Sequence, residues 1–593
     1  MIEKKAKNIP PNYIIFGIVV CIVLLVKLWG VFLVKIPWIS DEVGVWQTAE
    51  YVIGYGESWK SYVDYSGVVS GFYGVLSSII YLPIIALCTN AITAYRFCLI
   101  LNILLLVIAS IFAYKILRTI LDIPSEVSAY GAVASVALYP VLFHANVIMT
   151  ETVFTVWVWM ITYVFLKIVK QNRINFKNTV VLVFSLSLGY LIHSRCLIVY
   201  CIFGAIIFLY KLFNKKWLIS PVTFVLSFIL IIFLYSIITN KIQNFFWGAN
   251  NLQNSTENTA LRAKFIIFVL IDDIGGVLKT FISLVAAFTI ETFGIIVSCI
   301  YISIIYLIYI IRHYKYAKNK ISTIAFIVSM GCFWGMIFCI AIIEHAPSRS
   351  KWYVYTRYAT PFLGQYILIC LYLLFKLKYS RKKLILFNCI FVSIIIKWMA
   401  INWPILLADA KLGLFDSAFF FCYKLVSIVN KFRINIWVKS VGLLIVGGLS
   451  LVLVLIIKKK IKQCSIAIAG FSVILYIISS FSYVTPMQFS NNYWQRVDGL
   501  IKCFKKFSLE DYDIQYMGTA NFYLPLQISF SQKNAICVVK FEEIQGDNMV
   551  YLSDLLINEE ISEFIFQLDQ DEYLYTSNQE LCDLLNNEYV RIK

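Results

Sequence analysis

Long apolar runs separated by short polar stretches set the pattern of this chain. The first run, residues 13–34, holds a single charged residue, Lys27. At ~1.5 Å of rise per residue, it is long enough to cross the ~30 Å hydrocarbon layer of a bilayer as one helix. Similar runs recur as far as residue 485. The pattern therefore predicts a polytopic α-helical membrane protein with about thirteen transmembrane helices plus interfacial helices.

Basic clusters between the runs set the predicted orientation. Lys4, Lys5 and Lys7 precede the first run, so the positive-inside rule places the N-terminus in the cytoplasm. The apolar segment 68–88 is interpreted as interfacial or re-entrant, because a full crossing would turn later basic clusters outwards. A second interfacial segment is predicted at 281–288. The further predicted spans are 96–116, 127–147, 150–170, 178–193, 196–213, 217–238, 292–311, 321–343, 360–376, 384–402, 440–457 and 465–484.

The end of the chain has the composition of a soluble domain. Residues 1–485 are predicted to form the transmembrane domain, and residues 486–593 a small α/β domain. The lysine-rich turn at 458–462, placed inside, puts this domain outside the cell, whereas a full span at 415–429 would put it in the cytoplasm. An amphipathic helix is predicted at 493–507, a helix at 577–586, and strands at 513–517, 535–541, 563–568 and 589–592.

Composition excludes a soluble globular protein. Of the 593 residues 60% are hydrophobic and 14% are charged, and the mean hydropathy is +0.80. The formal charge of +18 does not indicate nucleic-acid binding, because the basic residues form short clusters after apolar runs. The fifteen cysteines lack the spacing of a zinc site. The abundance of Ile, Lys, Asn and Tyr favours a bacterial source, and hence a multi-pass protein of the plasma membrane.

An acidic, aromatic loop follows the first span. The loop, residues 35–67, carries the adjacent carboxylates Asp41 and Glu42 and is predicted to lie outside the cell. A solvated loop with interfacial aromatic residues would show the same composition. Paired acids at a membrane surface also suit catalysis on a substrate that resides in the membrane.

Further polar residues lie at the predicted outer ends of other spans. His144 and Glu151 flank one hairpin, and Arg195 lies at another. A charge at this depth needs a partner, a proton or a water-filled cavity. An acid beside a helix N-terminus and an arginine reaching towards the interface are the structural alternatives. The loop 344–360 adds Arg349 and Arg357, whose guanidinium groups suit the oxygens of a lipid phosphate.

Four stretches together resemble the GT-C superfamily of integral-membrane glycosyltransferases, which includes protein O-mannosyltransferases and aminoarabinose transferases. They read ISDEVGVWQTAEYV, YSGVVSGFYG, ALYPVLFHANVIMTETVF and YTRYATPF. The resemblance covers most of the first 380 residues. Thr356-Arg357-Tyr358 stands where the family often has Gly-Arg-Tyr, and 65–74 where it often has a proline-rich element.

The resemblance implies transfer of a sugar from a polyprenyl-phosphate donor to a hydroxyl acceptor on the outer face, with inversion at the anomeric carbon. The acceptor would be an envelope glycan, a lipid or a protein. Asp41 is the expected general base, and Arg357 would stabilise the phosphate leaving group. Asp41 and Glu42 would also suit Mg²⁺ or Mn²⁺. The expected substrate-binding residues are Glu42, His144, Glu151, Arg195, Arg349, Arg357 and Tyr358.

Two other functions remain open on the sequence. A polymerase or ligase of lipid-linked glycans also combines many spans with charged outer loops. A transporter or flippase of lipid-linked sugars should place charges along a pathway inside the spans. Here Lys27 and Lys397 are the exceptions to a distribution in which charges gather at the outer edge.

Overall fold

The computed structural model describes most of the membrane region and parts of the C-terminal region. The described residues are 11–33, 40–54, 74–88, 91–171, 176–247, 271, 273–313, 320–343, 355–410, 434–482, 506–507, 513–516, 537–538, 549–553, 564–569, 572–587 and 589–592. The chain divides into two compact units. The first comprises Met1–Leu33, Leu99–Phe233 and Thr259–Ser482, and the second comprises Val34–Cys98, Leu234–Asn258 and Tyr483–Lys593.

The described residues before 483 are almost entirely helical. The helices are α1 Pro11–Leu33, α2 Ser40–Val52, α3 Val75–Leu87, α4 Ala91–Lys115, α5 Ser125–Val136, α6 Tyr139–His144, α7 Thr150–Gln171, α8 Phe176–Ile192, α9 Cys196–Asn214, α10 Pro221–Trp247, α11 Ile274–Glu291, α12 Ile295–Arg312, α13 Ile321–Ile343, α14 Thr360–Lys376, α15 Arg381–Ala410, α16 Ile434–Ile457 and α17 Ile461–Ser482. A π-helical turn, Ile116–Ile120, continues α4.

The helices are those of a membrane protein. Within the described ranges, seven helices are long and apolar enough to cross a bilayer, and six shorter apolar helices accompany them. Helix α3 has 13 residues and a proline, Pro83, inside it. At ~1.5 Å per residue it is shorter than the ~30 Å hydrocarbon layer, as the predicted interfacial segment requires. The exact number of spans stays a prediction.

Two predicted segments differ from the structure. The span predicted at 127–147 is divided into α5 and α6 by Ala137 and Leu138, the latter in an extended conformation. Pro140 lies in the first turn of α6, and a continuous helix would require the hydrogen bond that proline cannot donate. The segment 281–288, predicted to be interfacial, lies within the 18-residue α11, which is long and apolar enough to cross.

Helix α14 lies at the centre of the first unit. Nearly all its residues are buried, and it packs against α5, α7, α12 and α13. Gln365 Nε2 donates to the carbonyl oxygen of Val158 on α7 at 2.8 Å. Gly364 lies directly against the carbonyl oxygen of Ser135 on α5, where a methyl group would collide with backbone. The absence of a side chain at Gly364 therefore permits the close approach of α5 and α14.

The described strands of the C-terminal region form one mixed sheet. The strands are β1 Asp513–Tyr516, β2 Cys537–Val538, β3 Met549–Ser553, β4 Phe564–Asp569, β5 Glu572–Thr576 and β6 Val590–Arg591, and helix α18 is Gln579–Leu585. Their order is β2-β1-β3-β5-β4-β6. The β1 strand runs parallel to β2 and β3, whereas the pairs β3–β5, β4–β5 and β4–β6 are antiparallel. Strands β3 and β5 were not predicted from the sequence, and most of the amphipathic helix predicted at 493–507 falls outside the described residues.

Candidate functional site

A buried carboxylate at the start of α7 is the centre of the candidate site. Glu151 lies in the first turn of α7, after a short irregular segment that connects α6 to α7. An acid is favourable there because the N-terminal end of a helix carries a partial positive charge. Its exposed fraction is only 1%, so the protein must supply cations to compensate its charge. Two arginines do so.

The first cation is Arg195, in the turn before α9. One of its terminal nitrogens donates to Glu151 Oε1 at 2.8 Å and to Thr150 Oγ1 at 3.2 Å. Its guanidinium carbon lies 4.2 Å from the ring centroid of Tyr358, close enough for a cation–π interaction. The backbone N–H of Arg195 donates to His193 Nδ1 at 3.1 Å, which stabilises the turn.

The second cation is Arg357, in the turn before α14. It is fully buried, and its Nε lies 3.4 Å from the same Glu151 Oε1. Its guanidinium carbon lies 5.0 Å from the ring centroids of both Tyr355 and Tyr358. The turn itself is closed by Thr360, whose hydroxyl donates to the Thr356 carbonyl oxygen at 3.1 Å. Two guanidinium groups thus share one carboxylate oxygen between aromatic rings.

His144 is buried beside this cluster. The exposed fraction of His144 is 2%. Neither ring nitrogen of His144 nor Glu151 Oε2 has a hydrogen-bond partner among the described residues. The cluster therefore combines two guanidinium groups with buried polar atoms that the described residues leave without a hydrogen bond.

Three helices begin at the cluster and end in basic residues. Glu151 lies in the first turn of α7, Arg195 immediately precedes α9, and Arg357 precedes α14 by three positions. The last turns of these helices contain Lys170, Lys211 and Lys376, respectively. The ends of α7 and α9 meet the start of α13 around a cavity of about 430 Å³. Three positive helix termini and two guanidinium groups make the opposite end of this bundle favourable for an anion.

The predicted site residues are only partly described. His144, Glu151, Arg195, Arg357 and Tyr358 lie together in the first unit. Arg349 lies outside the described ranges, as does the loop from 55 to 73. The structure places Asp41 and Glu42 in the first turn of α2, in the second unit, and describes neither side chain. Their predicted roles remain predictions.

Two further buried acids were not assigned a role from the sequence. Glu291 ends α11 and accepts a hydrogen bond from Thr356 Oγ1 at 2.9 Å, next to Arg357 in the chain. Its position at the polar end of an apolar run was the signal that could have identified it. Glu50 on α2 is also buried and accepts a hydrogen bond from Trp46 Nε1 at 2.7 Å.

The described residues contain no group of three or more His, Cys, Asp or Glu side chains that could hold a metal ion. This statement does not extend to Asp41 and Glu42, the pair for which Mg²⁺ or Mn²⁺ was predicted.

Comparison with known proteins identifies the fold. No protein-family model and no curated protein sequence matches the chain. The crystal structure of ArnT from Cupriavidus metallidurans bound to undecaprenyl phosphate aligns with a TM-score of 0.50 at 11% sequence identity, over 95% of this chain and 98% of that one. The apo state of the same protein gives a TM-score of 0.48 at 10% identity, over the same shares of the two chains. This similarity concerns the fold alone: over nearly its whole length, the chain has a fold similar to that of ArnT, as the resemblance in sequence implied.

Proposed function

We propose that this protein is a membrane glycosyltransferase that transfers a sugar from a polyprenyl-phosphate carrier to a hydroxyl acceptor. The observation that carries the proposal is the buried cluster in which Arg195 and Arg357 both face one oxygen of Glu151. The fold supports it, since the ArnT structure of the same fold is bound to undecaprenyl phosphate. The acceptor is an envelope glycan, a lipid or a protein.

The arginine cluster would act on the leaving group. When the bond between the anomeric carbon and the phosphate oxygen breaks, the electron pair stays on the phosphate, which gains negative charge. Arg357 and Arg195 are already held in place, so they can stabilise this charge without reorganising. The ring of Tyr358 lies against both guanidinium groups. Glu151 Oε2 could accept a hydrogen bond from a sugar or acceptor hydroxyl, and a ring N–H of His144 could donate to a hydroxyl or phosphate oxygen.

Asp41 is the proposed general base. It would take the proton of the acceptor hydroxyl while the hydroxyl oxygen attacks the anomeric carbon from the side opposite the phosphate, which inverts that centre. A positioned base contributes about 10²–10⁴ in rate. Glu42 and Arg349 are proposed to bind substrate, and Asp41 with Glu42 to hold Mg²⁺ or Mn²⁺. Transfer should then be lost in EDTA and restored by either cation.

The proposed reaction takes place on the extracytoplasmic face. The helices that begin at the arginine cluster end in Lys170, Lys211 and Lys376. The positive-inside rule assigns such basic ends to the cytoplasm. Helix α7 has 22 residues, so at ~1.5 Å per residue its start lies about a membrane thickness away from Lys170.

The testing experiment measures transfer of a radiolabelled sugar in membrane vesicles. Labelled undecaprenyl-phosphate sugars are supplied, and endogenous acceptors are analysed for wild type, Asp41→Asn and Arg357→Lys. We expect Asp41→Asn to abolish transfer without lowering expression. Arg357→Lys should lower transfer by at least tenfold, because lysine lacks the planar fork that holds two oxygens.

Glu57→Gln on the same acidic loop is the matched control and should leave transfer nearly unchanged. Equal losses in Asp41→Asn and Glu57→Gln would indicate a structural loop instead of a base. Absence of wild-type transfer with every donor would reject the proposed function.

A further inference from the structure

The charged residue inside the first span has an unusual environment. Lys27 lies near the C-terminal end of α1 with an exposed fraction of 1%. A lysine inside a membrane helix is unfavourable in contact with lipid, so it needs polar partners inside the protein. Its Nζ donates to the carbonyl oxygen of Leu142 at 2.8 Å and to Asn146 Oδ1. Within the described residues, these acceptors are uncharged.

A tyrosine from another helix completes the contact. Tyr476 on α17 is buried, and its hydroxyl donates to Asn146 Oδ1 at 2.8 Å. The ring centroid of Tyr476 lies 4.9 Å from Lys27 Nζ. Gly30, one turn after Lys27, lies directly beneath the tyrosine hydroxyl, where any side chain would displace it. Asn146 Oδ1 thus accepts hydrogen bonds from two helices that are distant in sequence.

A side chain from a third helix binds backbone carbonyl groups of the same segment. Asn102 on α4 donates through Nδ2 to the carbonyl oxygens of Ala145 at 3.2 Å and Val147 at 2.9 Å. These carbonyls belong to the irregular segment between α6 and α7. Irregular backbone at membrane depth requires such donors, because lipid provides none. Three helices therefore fix the path of residues 142–147.

We propose that Lys27, Asn146 and Tyr476 are positioning residues for the transferase site. This inference rests on the proposed function. The segment that they hold contains His144 and leads directly into Glu151, the carboxylate that both arginines share. The three residues keep His144 and Glu151 in register with Arg195 and Arg357. Displacement of a binding group by about 1 Å can cost a factor of 10² in rate, so a network remote from the reacting atoms can control the reaction.

The first test distinguishes the role of the Asn146 acceptor oxygen from the role of the side-chain volume. Asn146→Asp keeps an oxygen for Lys27 and Tyr476, whereas Asn146→Leu removes it at similar volume. We expect Asn146→Asp to retain most of the wild-type kcat. Asn146→Leu should lower kcat by at least tenfold with less than a threefold change in the KM for the lipid donor. Equal kcat values for wild type and Asn146→Leu would overturn the proposal.

The matched pair Tyr476→Phe and Tyr306→Phe separates positioning from stability. Tyr306 is likewise buried, and its hydroxyl forms a hydrogen bond with Thr323 Oγ1 at 3.0 Å. This contact lies near Arg312, at the opposite end of the helix bundle from Glu151. Tyr476→Phe should lower kcat about three- to tenfold, the range expected for loss of one buried hydrogen bond. Tyr306→Phe should reduce thermal stability about as much as Tyr476→Phe does, and should leave kcat unchanged. Equal losses of kcat in both variants would show a general stability effect and reject positioning.

An activity-independent readout uses the chemical reactivity of His144. The chain has four histidines, and the exposed His313 is an internal reference. We expect diethyl pyrocarbonate, followed by mass spectrometry, to modify His144 at least fivefold faster in Asn146→Leu than in wild type, with His313 unchanged. Unchanged His144 reactivity would overturn the proposal that the network holds this segment. Lack of wild-type transfer would instead reject the proposed function, and with it the catalytic role of the network.

Discussion

At the scale of single residues, the main feature is a carboxylate shared by two arginines. Glu151 Oε1 accepts from Arg195 and faces Arg357, while Oε2 has no partner among the described residues. Both buried arginines share this one carboxylate as a counter-charge, so the cluster should be sensitive to removal of Glu151.

Removal of the shared carboxylate is therefore expected to destabilise the free protein more than the ligand-bound protein. Glu151→Gln should lower the unfolding temperature in detergent, because two buried guanidinium groups lose their counter-ion. Undecaprenyl phosphate should raise that temperature more in Glu151→Gln than in wild type, since its phosphate replaces the lost charge. Thermal unfolding with and without the lipid measures both effects.

Glu126→Gln is the control for this experiment. Glu126 forms an ion pair with Lys462, and each side chain is about a third exposed or slightly less. Loss of this ion pair should therefore change stability by at most ~1 kcal/mol. The same unfolding temperature for Glu151→Gln and wild type would contradict a buried ion cluster.

At the scale of elements, close helix packing depends on particular glycines. Gly364 brings α14 against the backbone of α5, and Gly189 brings α8 against the Trp157 ring of α7. Small residues at helix contacts are typical of membrane proteins, where dispersion contacts replace the hydrophobic effect between helices. The close packing of α14 on α5 and of α8 on α7 thus depends on glycines that take no part in the proposed chemistry.

Gly364→Ala should lower the thermal stability of the detergent-solubilised protein. The added methyl group would meet the Ser135 carbonyl oxygen, and backbone cannot move aside as a flexible side chain can. The expected loss is about 1–3 kcal/mol, the usual cost of overpacking. Gly470→Ala is the matched control, since a methyl group there meets no atom within 4 Å. Equal stability of the two variants would show that α5 and α14 are less tightly packed than described.

At the scale of the whole molecule, the direction of several helices assigns the faces of the membrane. Helices α7, α9 and α14 all run from the arginine cluster to a lysine. The cluster and the lysine-rich ends therefore lie at opposite ends of these helices, and by the positive-inside rule we propose that the cluster lies on the outer side.

Labelling from outside intact cells tests this assignment. In a cysteine-free background, Ser194→Cys, exposed beside Arg195, should react with a membrane-impermeant maleimide in intact cells. Lys459→Cys, exposed in the turn between α16 and α17, should react only after permeabilisation. The reverse pattern would place the candidate site in the cytoplasm and contradict the proposed orientation.

The sequence by itself determined the class of the protein and most of its helices, because hydropathy reflects transfer of each residue from water to lipid and needs no tertiary contacts. It also indicated the polar residues at helix ends, since a charge at the membrane boundary requires a partner. The sequence analysis missed the break before Pro140, because turn geometry depends on neighbouring helices. It also missed the full length of α11. Only the tertiary structure decided that Arg195 and Arg357 share Glu151, and that Lys27 meets Asn146. Such pairings join positions far apart in the chain, and packing of the whole bundle selects them from many chemically equivalent alternatives.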